Sequence, residues 1–121
     1  MMKANILGTE YEIVFKDYKD EPAFERRGID GYCDNIDKVL CIGNLKTFPQ
    51  WDDETEEYCK KAEKETLRHE IIHAFLSESG LQESTAVIDD RGWSKNEEMI
   101  DFFAIQFPKI SKVFEDLNIT S

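Results

Sequence analysis

The chain has 121 residues, 40% of them apolar and 34% charged, and 26 acidic against 15 basic side chains leave a net charge of −11. That length suits one domain over residues 1–121, and 8 Phe, 4 Tyr and 2 Trp can fill its core, which argues against a wholly disordered chain. So acidic a surface repels phosphate, which argues against nucleic acid and anionic membranes as partners and favours a metal ion, a basic peptide or a basic protein. No apolar run approaches the roughly 18 residues of a membrane helix, and MMKANILGTEYEIVF lacks a secretory apolar region. The 3 cysteines, irregularly spaced and without a C-x-x-C pair, provide neither a disulfide framework nor a zinc ribbon. The expectation is a cytoplasmic domain.

In chain order, Asn5–Leu7 and the aromatic, β-branched run Tyr11–Phe15 predict one bent strand or two short ones around Gly8. Residues 17–28 are charged, aperiodic and carry Pro22, which predicts a loop. Ile29–Asp34, the turn-prone run 34–37 and Lys38–Ile42 predict a β-hairpin. Asp52 or Asp53 is placed to cap a helix, with Glu56 available for a capping box. That helix runs uninterrupted to Ser79 and stops at Gly80. Tyr58, Ala62, Leu67, Ile71, Ile72, Phe75 and Leu76 form an apolar stripe that widens toward its C-terminal half. Residues 81–95 read as irregular, a helix follows from about Asn96 to Phe107, and Pro108 separates it from a short amphipathic helix. Phe102, Phe103, Ile105, Phe107, Ile110, Val113, Phe114 and Leu117 are assigned to the core.

Residues 69–73 read His-Glu-Ile-Ile-His. On a helix, positions i and i+4 share a face, so both imidazoles can reach one ion with Glu70 beside them. Two neutral imidazoles hold Zn²⁺ and leave room for a third ligand and a water whose pKa falls to near 7, where an adjacent carboxylate takes its proton. The bland alternative is two surface or core histidines. Against it, such a pattern arises by chance in roughly one in several hundred chains of this length. These are also the only 2 His in the chain, and they stand where the helix turns apolar.

The absence of a third His excludes the metzincin pattern H-E-x-x-H-x-x-G-x-x-H, so a carboxylate must complete the set. Asn96-Glu97-Glu98-Met99-Ile100-Asp101 offers candidates. Glu97 and Asp101 are i and i+4, so Glu97 can bind the metal while Asp101 accepts the free N–H of a ligand His. Glu98 is the alternative ligand if the helix registers differently. An exposed acid at a helix start is also favoured by the dipole alone.

His69-Glu70-x-x-His73 followed by Asn96-Glu97-x-x-x-Asp101 resembles the gluzincin pattern. With Thr66-Leu67-Arg68-His69-Glu70, the whole chain is similar to small phage- and mobile-element zinc metallopeptidases of the minigluzincin and ImmA/IrrE-type group. The resemblance implies an α+β, zincin-like fold, with an N-terminal antiparallel sheet packed on a long H-E-x-x-H helix and a following ligand-bearing helix. It also implies Zn²⁺ as cofactor and a narrow-specificity peptidase acting on a peptide or protein, a repressor among the candidates. Lys38–Gly43 is then the candidate edge strand for an extended substrate, with an ordinary core strand as the alternative. Relatives use a downstream His or Tyr to stabilise the oxyanion, and no further His is present here. A regulator that binds a repressor or host protein without efficient turnover is the alternative function.

Tyr32, Arg91 and Trp93 are further cleft candidates, while Trp51 and Trp93 also suit core or lid packing. Cys33 and Cys41 fall on opposite arms of the hairpin and are expected as free thiols. Cys59 stands ten residues before His69, about 15 Å along the axis, too far to join the site.

Overall fold

The computed structural model describes residues 2–80, 96–118 and 120. Four strands form one sheet: β1 (Met2–Ile6), β2 (Thr9–Lys16), β3 (Gly31–Asp34) and β4 (Val39–Gly43), in the order β1-β2-β4-β3. Among the described residues three α-helices accompany them: α1 (Pro22–Arg27), α2 (Glu56–Glu78) and α3 (Glu97–Asp116). The class is mixed α+β. No helix among the described residues is long and apolar enough to cross a membrane.

The sheet is not wholly antiparallel, which corrects the expectation. β1–β2 and β3–β4 are antiparallel, the latter being the predicted hairpin, but β2 and β4 run parallel with Ile13 opposite Leu40. After β2 the chain crosses through α1 to the far edge, forms β3, and turns back so that β4 slots between. Lys38–Gly43 is therefore no edge strand. Leu40, Cys41 and Ile42 are each fully buried, because β4 is covered on both faces. A strand so placed reads as a continuous apolar run instead of alternating, and V-L-C-I carries that signal.

Two clusters form the core. Ile6, Tyr11, Ile13, Leu40 and Ala74 meet between one sheet face and α2, joined by Cys33, Leu67 and Ile71. Phe24, Cys41, Leu45, Phe48 and Cys59 form the second, with Val14, Tyr32 and half-buried Trp51 against them. Because Cys33 opposes Leu40 while Cys41 opposes Tyr32, the two thiols lie on opposite faces of the sheet, and both are free.

Within 17–28 the expected loop contains α1. Glu21 accepts from the Ala23 N–H, Pro22 opens the first turn, and Gly28 closes it at φ 62°. Six residues are too few for an apolar period, so only these end signals identify the helix. The cap of α2 is Thr55, whose hydroxyl accepts from the Tyr58 N–H, and not Asp52 or Asp53. Both aspartates precede the cap in a turn that Lys46 fastens by donating to the Asp52 and Glu54 carbonyls. At the far end of α2, Glu78 accepts from Thr9, Tyr11 and Lys38. These bonds tie the helix to β2 and the β3–β4 turn. They hold its carboxyl down at about 2, the Lys38 bond contributing most.

A further correction concerns α3, which is one helix running through Pro108 and not two. Proline removes the N–H that would satisfy the carbonyl four residues earlier, at Ala104. Arg68 of α2 donates its Nε–H to that carbonyl. A buried carbonyl left without a partner costs about 1–3 kcal/mol, and this bond offsets that part of the cost of continuing the helix. Of the aromatic stripe assigned to the core, little is buried. Ile100 and Ala104 are the buried positions of α3, whereas Phe102, Phe103, Ile105, Phe107, Val113, Phe114 and Leu117 are exposed and Ile110 half-buried.

Candidate metal centre

The site forms where α2 meets the first turns of α3. Asn96 caps α3, its side-chain oxygen accepting from the Met99 N–H. That cap puts Glu97 at the first helical position, where the dipole favours a carboxylate, and Asp101 one turn on. His69 and His73 lie one turn apart on α2, and their Nε2 atoms converge to 3.1 Å. Glu97 spans both, with Oε2 3.2 Å from His69 Nε2 and Oε1 3.1 Å from His73 Nε2. Asp101 Oδ1 is 2.7 Å from His69 Nδ1, and Glu70 Oε2 is 4.0 Å from His69 Nε2. Glu98 has no contact with either histidine; it lines a shallow surface depression with Met99, Phe102 and Phe103.

The donor set fits a cation. A carboxylate at Asp101 would only accept, so His69 would present Nδ1–H to it, and a neutral ring then carries its lone pair on Nε2. That lone pair faces a Glu97 oxygen that also only accepts. A cation between them turns a repulsive contact into shared ligation. The spacing agrees in magnitude: two ligands of a tetrahedral ion with bonds of about 2.0–2.1 Å lie about 3.3–3.4 Å apart, and the three contacts here are 3.1–3.2 Å. His69, Glu70 and His73 also form a group compact enough to hold an ion by themselves.

Glu70 is the buried member, 7% exposed. Burial raises its carboxyl from 4.5 to about 7; the Glu97 and Asp101 charges push the same way, while His69 and Arg27 oppose. Burial likewise pushes the His73 imidazole below its usual value, against the pull of Glu97. Because the folded pKa of Glu70 lies above the unfolded one, folded protein keeps a proton that unfolded chain releases, and stability falls as pH rises from 4.5 to about 7. The loss in metal-free protein is about 3 kcal/mol at most. His73 has the opposite slope but is common to wild type and Glu70→Gln. Metal-free Glu70→Gln should therefore gain Tm relative to wild type between pH 5 and 8. Parallel Tm profiles would show that the carboxyl is not raised.

A cavity of about 780 Å³ opens in front of these groups, walled by Ile29–Asn35, by α2 from Glu65 to Ser77 and by Glu97, Asp101 and Ala104. The edge strand beside it is β3, not β4. A Cβ at Gly31 would stand 2.9 Å from the Thr66 methyl, so glycine allows β3 to lie this close to α2. Tyr32 lines the cavity as expected, and its hydroxyl donates to Glu21 at 2.6 Å. Cys33 lines it too, its thiol pushed up to about 12, chiefly by burial. Arg27, Asp30 and Glu65 complete the wall and were not singled out by the sequence, since no spacing ties them to the motif. Cys59 is buried away from the site, and Arg91 and Trp93 lie outside the described residues. Comparison of the chain with family models, curated proteins and solved structures returns no match.

Proposed function

We propose that the chain is a zinc-dependent peptidase of narrow specificity, with His69, His73 and Glu97 as metal ligands and Glu70 as the proton-transfer group. The observation that carries this reading is the convergence of both Nε2 atoms and the Glu97 carboxylate at ligand-to-ligand spacing, with Asp101 orienting His69. A zinc ion held there supplies Lewis acidity to a water molecule and to a substrate carbonyl. The chain's own residues do the rest. Glu70, beside the ligands and poised near neutrality, takes the proton of the attacking water and delivers it to the leaving amine. Asp101 holds the His69 ring in the tautomer that leaves Nε2 free for the ion. Among the described residues β3 is paired on one side only, and it borders the cavity, so an extended peptide can add to that edge and lie across the ligands. The motif resemblance makes a repressor the first substrate to try.

A second reading, a metal-holding regulator without efficient turnover, is favoured by the Tyr32 hydroxyl, which is engaged by Glu21 instead of being free to stabilise an oxyanion. Metal analysis and hydrolysis together test both. Chain purified without chelator should carry about one zinc and cleave an unfolded protein in a phenanthroline-sensitive, zinc-restorable manner. Zinc without cleavage favours the regulator. No transition metal, and no uptake on titration, removes both readings.

A further inference from the structure

We infer that Arg68 is a positioning residue for the metal centre: it grips the Ala104 carbonyl freed by Pro108 and so sets the height on α3 at which Glu97 and Asp101 meet the histidines. The inference rests on the proposed metal site but concerns residues outside it. Positions 97, 101, 104 and 108 are spaced by four, three and four, so they share one helical face, the one turned toward α2. Arg68 immediately precedes His69, and its guanidinium reaches Ala104, one turn beyond Asp101 on that face. Pro108 leaves this carbonyl without a helical donor, and Ala104 is 1% exposed, so a single side chain serves it.

Among the described residues, few buried side chains of α3 fix its register against α2. Ile100 and Ala104 are the only buried positions of α3, and Glu97 and Asp101 are each more than half exposed. Among the described residues, the hydrogen bonds between the helices are Arg68 to Ala104 and His69 to Asp101. No carboxylate among the described residues pairs with Arg68, so its charge is committed to the helix carbonyl. Sliding or rolling α3 by one residue would turn Glu97 by about 100° away from both Nε2 atoms. One charged hydrogen bond to a carbonyl that has no competing donor resists that motion.

The test is a cycle of full-length variants: Arg68→Met, Arg68→Lys, Pro108→Ala and Arg68→Met/Pro108→Ala. Two readouts apply to protein shown to be folded by circular dichroism. The first is zinc affinity by competition with a chromophoric chelator. The second is the ¹⁵N shift of His69 Nδ1 at fixed pH in metal-free protein, which reports the Asp101 bond. Arg68→Met should weaken zinc about 10-fold and move the Nδ1 shift, as expected for a group that orients a ligand without touching the ion. Arg68→Lys should recover most of both. In the Pro108→Ala background the N–H restored at position 108 competes for Ala104, so Arg68→Met should cost less than about threefold. An unchanged affinity and Nδ1 shift in folded Arg68→Met, or an equal loss in both backgrounds, would overturn the inference. If wild type takes up no zinc, the peptidase proposal fails, and the Nδ1 shift still decides the role of Arg68.

Discussion

Glu70→Gln should lower peptide hydrolysis by about 10²–10⁴-fold while leaving zinc bound at wild-type stoichiometry. The amide keeps the size and buried position of the side chain, so the cavity wall is unchanged. It cannot take a proton from water, which is the one chemical task assigned to the residue. The raised carboxyl, near 7 by burial, suits Glu70 to the proposed roles of base and of acid for the leaving amine. An ion beside it would draw that value down, so the acid limb of the rate profile should lie below 7, with activity rising as Glu70 ionises. Initial rates and metal content measured on the same preparations decide the matter. Should the variant lose its zinc, Glu70 is a ligand and not a base. If it retains zinc and full activity, another group carries the proton.

Replacing Glu97, the proposed third ligand, should have the larger effect on the metal. Glu97→Ala removes both oxygens that bridge the two Nε2 atoms, and zinc affinity should fall by more than about 100-fold, beyond the range for an orienting group. Asp101→Ala takes away the acceptor that holds the His69 tautomer, for a loss of about 10–100-fold. Glu98→Ala should change affinity little, because Glu98 is about 100° around the helix and lines a different depression. Competition with a chromophoric chelator ranks the three. Release of zinc by Glu98→Ala with retention by Glu97→Ala would mean that α3 presents its other face to the histidines, and Asp101 would then have no partner.

The site was legible because its spacing is local. His69 and His73 need only a helix to share a face, and the uninterrupted run from Glu56 to Glu78 ensures one. Glu97 and Asp101 share a face for the same reason, once Asn96 caps the helix. The hairpin was legible too, since a turn-prone run of four residues joins two short β-prone segments. By contrast, the cap went to Thr55 although nearby Asp52 and Asp53 have the higher intrinsic preference. The choice among three adjacent capping types was made by the turn that Lys46 holds, a contact across eight residues at its longest.

What the sequence determined alone is the set of groups and their local phase: two imidazoles and a carboxylate on one helix, two further carboxylates on another, and strands before both. Periods of 3.6 and 2 are properties of the backbone, so they survive any change of packing. Tertiary structure decided which elements meet. β4 became the central strand and β3 the edge because α1 carries the chain across before the hairpin forms, and pairing order depends on that path, not on strand propensity. α3 continues through Pro108, and Arg68, 36 residues before Ala104, serves the carbonyl that proline leaves without its helical N–H. Proline costs a helix one hydrogen bond and a ring clash, and the lost donor is replaced here from across the interface that also joins Glu97 and Asp101 to the histidines.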